Sequence, residues 1–177
     1  LNKLKKQDIN FLFKLRNKRE VRKYSLNRKT ISKKEHEKWC DQKLKDKESK
    51  IFIIKIKKHK VGYIRLDKKE YWQISISIIK KFRNKKIGKK ALTILEKKFN
   101  KINIYAKVHF LNKNSIAFFK SCNYDIINKS QNFYLMKKIK KNNYLKIINS
   151  ISKIRSKNNS NWMDILKIAF KYSPTQA

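Results

Sequence analysis

Two segments near the start of the chain carry apolar side chains at intervals of three or four positions, the spacing of one helix face. They cover residues 7–17 and 32–46. The second segment opens with Ser32 and, three residues later, Glu35, which is the capping-box pattern at a helix amino terminus. The pattern therefore predicts two amphipathic helices joined by an ordered loop at residues 22–31.

Three runs rich in β-branched residues follow, at 51–58, 61–67 and 71–79. The turns between them are short, so the runs are predicted to form an antiparallel meander. In the third run apolar and polar side chains alternate, which places them on opposite faces of the strand. The apolar positions are Trp72, Ile74, Ile76 and Ile78, and the polar positions are Gln73, Ser75 and Ser77.

Helix and strand patterns then alternate along the chain. A helix is predicted at 88–100, a strand at 102–109, a helix at 114–123 and a strand at 132–139. A helix between two strands is the usual form of a parallel crossover. The order predicts an α/β (α+β) fold in which helices flank a mixed, mostly antiparallel sheet.

Residues 141–177 have a different pattern from the rest of the chain. They contain an amphipathic segment at 144–154, a polar break at 156–161 and a second predicted helix at about 162–172. We therefore expect one domain at residues 1–140, followed by a helical appendage or the start of a further module. The chain begins without Met, which adds the expectation that it is a piece of a longer protein.

Charge changes this picture only in part. The chain has 49 Lys and Arg against 12 Asp and Glu, a formal net charge of +37 that by itself indicates nucleic acid or an anionic membrane. However, 42 of the 49 are Lys, whereas nucleic-acid readers favour Arg, and abundant Lys, Ile and Asn are typical of AT-rich codons. A hydrophobic share of 40%, with 12% aromatic residues, argues against a disordered polyelectrolyte. A basic module that binds nucleic acid or another anionic surface therefore stays as the alternative to an enzyme.

Cysteine and histidine spacing indicates neither a disulfide framework nor a metal site. Cys40 and Cys122 lie far apart, and we expect both to be buried free thiols, as suits a reducing cytoplasm. His59 and His109 have no Cys or carboxylate neighbour at ligand spacing. No apolar run approaches the roughly 20 residues of a membrane span, so no span is predicted.

The stretch 74-ISISIIKKFRNKKIGKK-90 joins the third strand of the meander to the next helix. Backbone N–H groups are free at the start of a helix, and the helix dipole adds positive charge there. Such a turn binds phosphate without base specificity, and Gly88 would let the backbone approach the ligand closely.

These residues resemble the GCN5-related N-acetyltransferases (GNAT). The run 83–88 is similar to the family's acetyl-CoA turn, Arg/Gln-x-x-Gly-x-Gly/Ala, except that Lys86 occupies the inner glycine position. Gly62 falls in the family's hydrophobic-Gly-hydrophobic strand, and residues 112–119 resemble its Asn-x-x-Ser/Ala-x-x-x-Tyr/Phe helix. Asn123 replaces the glycine that usually ends that helix, and Asn tolerates the same left-handed conformation.

The resemblance implies that acetyl-CoA binds along a splayed central strand and the basic turn, without a metal. Lys120 is equally well explained as part of a solvated helix face. The implied coenzyme contacts are Ile76, Ile78, Ile79, Arg83, Asn84, Lys85, Lys86, Ile87, Gly88, Lys89, Asn112, Ser115 and Lys120.

The family reaction is direct attack of a neutral amine on a thioester, which needs a base for the amine and an acid for the departing thiolate. Gln73 lies near the place of the family's frequent Glu base, and Phe119 stands where many members carry a Tyr acid. Neither side chain can transfer a proton, so the catalytic groups stay unassigned. The remaining candidates are Gln73, Ser75 and Ser77 through water, or Glu70 or His36 from neighbouring elements.

The amino-terminal part resembles GNAT enzymes that acetylate nucleotide-linked amino sugars in pseudaminic-type nonulosonic acid pathways. This similarity implies that Arg16, Asn17, Arg22, His36 and Trp39 contact a sugar nucleotide. Helix packing explains His36 and Trp39 equally well, and an ion pair is the other explanation for the arginines. The same opening resembles enzymes that acetylate ribosomal-protein amino termini or polyamines, although a polycation fits poorly in a protein of this charge. The oligomeric state is not predicted.

Overall fold

The computed structural model describes residues 1–25, 27–139, 152–158, 161–164 and 167. The chain divides into two compact units, Leu1–Ile139 and Lys140–Ala177. The predicted amphipathic segment at 144–154 and the predicted helix at 162–172 lie largely outside the described residues.

In the first unit, Leu1–Ile139, five helices and seven strands are described. The helices are α1 (Ile9–Arg16), α2 (Arg19–Arg22), α3 (Lys33–Lys45), α4 (Ile87–Lys98) and α5 (Lys113–Ser121). The strands are β1 (Asn2–Lys3), β2 (Ser49–Ile56), β3 (His59–Lys68), β4 (Trp72–Ile78), β5 (Ile104–His109), β6 (Tyr124–Lys129) and β7 (Phe133–Lys138). Short 3-10 turns occupy Lys6–Asp8 and Lys80–Phe82.

The strands form one mixed sheet in the order β1-β2-β3-β4-β5-β7-β6. Every neighbouring pair is antiparallel except β4 and β5, which are parallel. The predicted fold class is therefore confirmed. Strands β1 and β6 and helix α2 were not predicted: β1 has two residues, α2 is one turn long, and β6 buries only Tyr124, so none shows a clear period.

Helices cover both faces of the sheet, as the alternation along β2 shows. Phe52 and Ile54 point into the main core, which α4 closes with Leu92 and Leu95. Ile51 and Ile53 point to the opposite face and form a second core with residues of α1 and α3, among them Leu12 and Cys40. The two faces thus serve different elements of the chain.

The central strands diverge part-way along their length. Strands β4 and β5 pair only from Trp72 to Ile74, opposite Ile104 to Ala106. Beyond that point β4 continues to Ile78 and β5 continues to His109 without pairing to each other. The predicted splayed central strand is therefore present.

The second unit, Lys140–Ala177, is helical in its described parts at 152–158 and 161–164. The assignment of residues 141–177 as an appendage or a further module stays a prediction. None of the described helices combines the length and apolar character needed to cross a membrane.

Candidate active site

The turn after β4 presents a row of free backbone donors. The chain leaves β4 through the 3-10 turn and enters α4 with Lys86 as the N-cap residue. Within the described residues, the amide groups of residues 84–89 donate to no protein acceptor, and the first bond of the helix runs from Lys90 to Lys86. Six N–H groups at a helix amino terminus suit an anion such as a pyrophosphate.

Arg83 fixes this turn to the end of the strand. Its Nε donates to the carbonyl oxygen of Ile78 at 2.9 Å. The predicted coenzyme contact Arg83 therefore has a structural role in the protein alone, which is to hold the last residue of β4 against the turn.

Two residues of the turn have left-handed backbone conformations, Asn84 with φ 60° and Lys86 with φ 58°. Asn tolerates this conformation, whereas a Lys Cβ is strained there. Glycine has no Cβ and is not strained at positive φ, which explains why the family's acetyl-CoA turn has a glycine at the position of Lys86. The Lys86 side chain is exposed, so only its backbone belongs to the turn.

Close packing constrains both glycines of the chain, Gly62 more than Gly88. A Cβ on Gly88 would lie 3.1 Å from the Phe118 ring and 3.7 Å from Ile76. A Cβ on Gly62 would lie 2.3 Å from the carbonyl oxygen of Ser77 on β4. Neither glycine has positive φ, so the structural reason for glycine at both positions is the space for a Cβ and not the backbone conformation.

Helix α5 brings further predicted coenzyme contacts to the same region. Asn112 is its N-cap, and its Oδ1 accepts the N–H of Ser115 at 3.1 Å. Its side-chain amide group donates no hydrogen bond within the described residues. Lys120 is exposed on the last turn.

A cavity of about 280 Å³ lies between the sheet and the first helices. It contains the predicted residues Arg16, His36 and Trp39, whereas Asn17 and Arg22 are not among its lining residues. The sequence prediction missed the β3 side chains Tyr63 and Arg65. The full lining is Leu12, Arg16, Asn27, Ile31, Glu35, His36, Trp39, Ile51, Tyr63 and Arg65.

The strand register connects this first cavity to β4. Tyr63 lies opposite Ser77 and Arg65 lies opposite Ser75. Residues directly opposite each other in a sheet share a face, so Ser75 and Ser77 point to the same side as the cavity wall. The period-two pattern of residues 61–67 could have revealed Tyr63 and Arg65, had that face been assigned to the acceptor.

Three of the predicted substrate residues hold the loop 23–31. Arg16 Nη2 donates to the carbonyl of Asn27 at 2.6 Å, and the Asn17 side chain makes two hydrogen bonds with the backbone of Ile31. Arg22 donates to the carbonyls of Asn17 and Arg28 at 3.1 and 2.8 Å. The arginines therefore bond to backbone oxygens, and no ion pair to either is described.

Arg16, which lines the first cavity, also has a nitrogen without a partner. Its Nη1 is buried and makes no hydrogen bond in the described part of the chain. Burial lowers the pKa of the guanidinium, and the nearby Arg22 and Arg65 lower it further against an opposing effect of Tyr63. The group still carries its charge, since an arginine stays protonated in proteins.

The imidazole of His36 is 3% exposed and packs against Phe13 and Trp39. Burial lowers its pKa from the ordinary 6.5, and the charge on Arg16 lowers the pKa further. His36 is therefore neutral at pH 7. Its Nδ1 lies 3.6 Å from the thiol of Cys40, whose pKa is raised to about 11, chiefly by burial.

Arg65 has two contacts that hold it in place. Its Nε lies 2.7 Å from a carboxylate oxygen of Asp67 as an ion pair, and the guanidinium lies 5.1 Å from the centre of the Trp39 ring. Asp67 itself is 8% exposed and also binds Ser49 and Lys43. These contacts fix a second positive charge at the wall of the first cavity.

A second cavity of about 510 Å³ lies on the other side of the same loop, at the end of β5. Asn27 borders both cavities. The second cavity is lined by Arg28, Lys29 and His109, together with Ser25, Asn132 and Phe133.

A family model described as the acetyltransferase (GNAT) family matches residues 13–124, which include the turn, the splayed strand and all of the first cavity's lining except Leu12. The chain belongs to the GNAT family. It is therefore an N-acetyltransferase, and the family uses acetyl-CoA as the acyl donor.

Solved structures share this GNAT fold at low sequence identity. A domain from Methanocaldococcus jannaschii has a TM-score of 0.68 and 18% identity, covering 77% of this chain and 94% of that chain. The spermidine N-acetyltransferase of Vibrio cholerae in complex with CoA and spermine has a TM-score of 0.66 and 16% identity, covering 77% of this chain and 90% of that chain. Ribosomal-protein-alanine N-acetyltransferase from Brucella melitensis has a TM-score of 0.63 and 17% identity, covering 78% of this chain and 98% of that chain. A search of curated proteins returned no match.

The catalytic candidates of this GNAT enzyme lie in different surroundings. Gln73 pairs with Asp67 and Tyr105 at the closed end of the splay, and Glu70 is exposed in the turn between β3 and β4. Phe119 is buried in the main core beside Tyr124. Of the candidates, His36 lines the first cavity. Within the described residues, no three His, Cys, Asp or Glu side chains are grouped as metal ligands would be.

Proposed function

We propose that this GNAT enzyme transfers the acetyl group of acetyl-CoA to the primary amine of a nucleotide-linked amino sugar. The observation that carries the proposal is the first cavity, in which the unpartnered Nη1 of Arg16 lies near the fixed charge of Arg65. A buried guanidinium nitrogen without a partner favours a phosphate as ligand. Trp39 and Tyr63 supply aromatic surface against which a sugar or base ring can pack.

Acetyl-CoA is proposed to bind with its pyrophosphate on the free N–H groups of residues 84–89 and its pantetheine arm beside Ile76 and Ile78. The amide group of Asn112 is available to the same arm. The proposed coenzyme contacts Ile79, Ser115 and Lys120 rest on the family resemblance alone.

The reaction joins the amine nitrogen to the thioester carbonyl carbon, and the carbon–sulfur bond breaks as CoA leaves. The amine gives up one proton, and the leaving sulfur takes one up. We propose His36 as the group that accepts the amine proton, because it is neutral at pH 7 and lines the first cavity. A cytoplasmic location is part of the proposal, since Cys40 and Cys122 are both free thiols.

A thiol-release assay with acetyl-CoA tests the acceptor class. We expect a UDP-linked amino sugar to react with a kcat/KM about tenfold or more above that of the same sugar without the nucleotide. Equal values for the two sugars, or a preference for spermidine or a peptide amino terminus, would refute the sugar-nucleotide proposal.

A pair of arginine variants locates the effect. Arg16→Gln should lower kcat/KM for the nucleotide-linked sugar and leave the free sugar little changed, because the variant removes the charge that faces the first cavity. Arg22→Gln is the matched control, since it also loosens the loop but does not line that cavity. A loss that is the same for both acceptors in Arg16→Gln would mean that Arg16 acts only through the loop.

The second candidate is acetylation of a protein amino terminus or another small amine. It is suggested by the activities named for the Vibrio cholerae and Brucella melitensis proteins, although at 16% and 17% identity these share only the fold. The third is a basic module for nucleic acid, suggested by the charge of +37. Failure to bind acetyl-CoA at low salt, together with nucleic-acid binding that falls steeply with salt, would favour that module.

A further inference from the structure

His109 at the end of β5 faces two hydrogen-bond donors. The backbone N–H of Leu111 points at its Nδ1, with the nitrogens 3.2 Å apart. On the other side, Nη2 of Arg28 lies 2.9 Å from its Nε2. The ring is 4% exposed and is surrounded by the rings of Tyr24, Phe110 and Phe133, so it cannot turn freely to water.

No ordinary protonation state of the imidazole satisfies both contacts. A neutral imidazole has one N–H and one acceptor nitrogen, and an imidazolium has two N–H groups. In the tautomer in which Leu111 donates to Nδ1, the proton of the neutral ring is on Nε2, where it faces the Arg28 guanidinium. Two donors then point at each other, and an acceptor beside them would satisfy both.

The second cavity provides room for that acceptor. Arg28 and Lys29 contribute two positive charges, and Ser25 and Asn132 contribute polar groups around the same space. The backbone of the loop is held there, since Arg22 binds the carbonyl of Arg28 and the Asn27 side chain accepts the N–H of Lys29. An anionic oxygen would accept from Nε2 of His109 and from the guanidinium at once.

We propose that the second cavity binds a phosphate of the acceptor through Arg28, Lys29 and Nε2–H of His109. The assignment of that phosphate to the acceptor rests on the proposed function. The other source is a phosphate of the coenzyme, and the experiment separates the two.

The test measures UDP binding by calorimetry at constant salt, with CoA present at saturation so that the turn after β4 is filled. Arg28→Gln should weaken UDP binding about 10- to 100-fold. Arg19→Gln, at an exposed position outside both cavities, is the matched control for charge and should leave the affinity within about twofold. UDP affinity that is unchanged in Arg28→Gln, or lowered equally in both variants, overturns the proposal.

Two variants of His109 test whether its Nε2–H donates to the phosphate. His109→Phe should lose UDP affinity as Arg28→Gln does, whereas His109→Gln keeps a donor near Nε2 and should recover most of it. Equal losses in the two histidine variants would overturn the role given to Nε2.

Two further results separate this inference from the proposed function. If CoA binding weakens in Arg28→Gln while UDP binding does not, the phosphate belongs to the coenzyme and the inference fails. If UDP binds as expected but the UDP-linked sugar is not acetylated, the phosphate site stands and the proposed function fails.

Discussion

Replacement of Lys86 by Gly should stabilise the protein, although it removes a whole side chain. Lys86 has φ 58°, and an L-residue in this region costs roughly 1–2 kcal/mol relative to Gly. Gly also makes the unfolded chain more flexible, which opposes the gain by about 0.4–1 kcal/mol. Relative to Lys86→Ala, which removes the same charge, we expect Lys86→Gly to be more stable by roughly 0.5–1 kcal/mol.

The adjacent lysine provides the control. Lys85 lies in the same turn and is exposed, but its φ is not positive. Lys85→Gly should therefore be less stable than Lys85→Ala by about 0.4–1 kcal/mol, so the sign reverses between neighbouring positions.

Urea unfolding of the four variants measures these differences, and thermal unfolding should show a shift of about 1–4 °C between Lys86→Gly and Lys86→Ala. The affinity for acetyl-CoA should be kept in Lys86→Gly, because the backbone N–H groups stay in place. The same sign at both positions would refute the explanation from backbone strain.

Three other perturbations follow from the same structure. Gly62→Ala places a Cβ against the Ser77 carbonyl, so it should lower the free energy of unfolding by about 2 kcal/mol or more and weaken acetyl-CoA binding. Urea unfolding and calorimetry measure the two effects, and wild-type values would contradict the prediction. Gly88→Ala should weaken coenzyme binding, because the added methyl group meets the Phe118 ring. Adding Phe118→Leu to that variant should restore coenzyme binding, and a double variant that binds no better than Gly88→Ala would contradict the role of this contact. The pKa of His36 is lowered by burial and by Arg16, so the unfolded state binds more protons below pH 6.5. The free energy of unfolding should therefore fall as pH drops from 7 through the folded pKa, and a His36→Leu protein that falls equally would exclude this cause.

Local rules predicted the element order and several of the helix ends. The capping box of Ser32 and Glu35 is present with both hydrogen bonds, at 3.2 and 2.7 Å. Asn123 has φ 64°, as expected for the residue that replaces a terminal glycine. Such features depend on neighbours within a few positions, which a sequence shows directly.

The lining of the first cavity depends on contacts that are distant in sequence. Tyr63 and Arg65 reach the first cavity because β3 lies under α1 and α3, and no local pattern gives that arrangement. Arg22 and Asn17 were predicted to bind substrate, and in the protein alone they bind the backbone of a loop. The sequence shows the motif that contains Arg22 and Asn17, but the hydrogen-bond partners of these two residues depend on the path of the loop.

The charges around the two cavities bear on which amine the enzyme accepts. Arg16 and Arg65 border the first cavity, and Arg28 and Lys29 border the second. Glu35 is the acidic residue that lines either cavity in the described part of the chain, and one of its oxygens accepts the N–H of Ser32. A polyamine would bring several positive charges to a surface that carries these four, of which Arg65 is paired with Asp67, so the net charge of +37 would oppose its binding. A nucleotide diphosphate would reverse the sign of each of these interactions, which supports the proposal of an anionic acceptor.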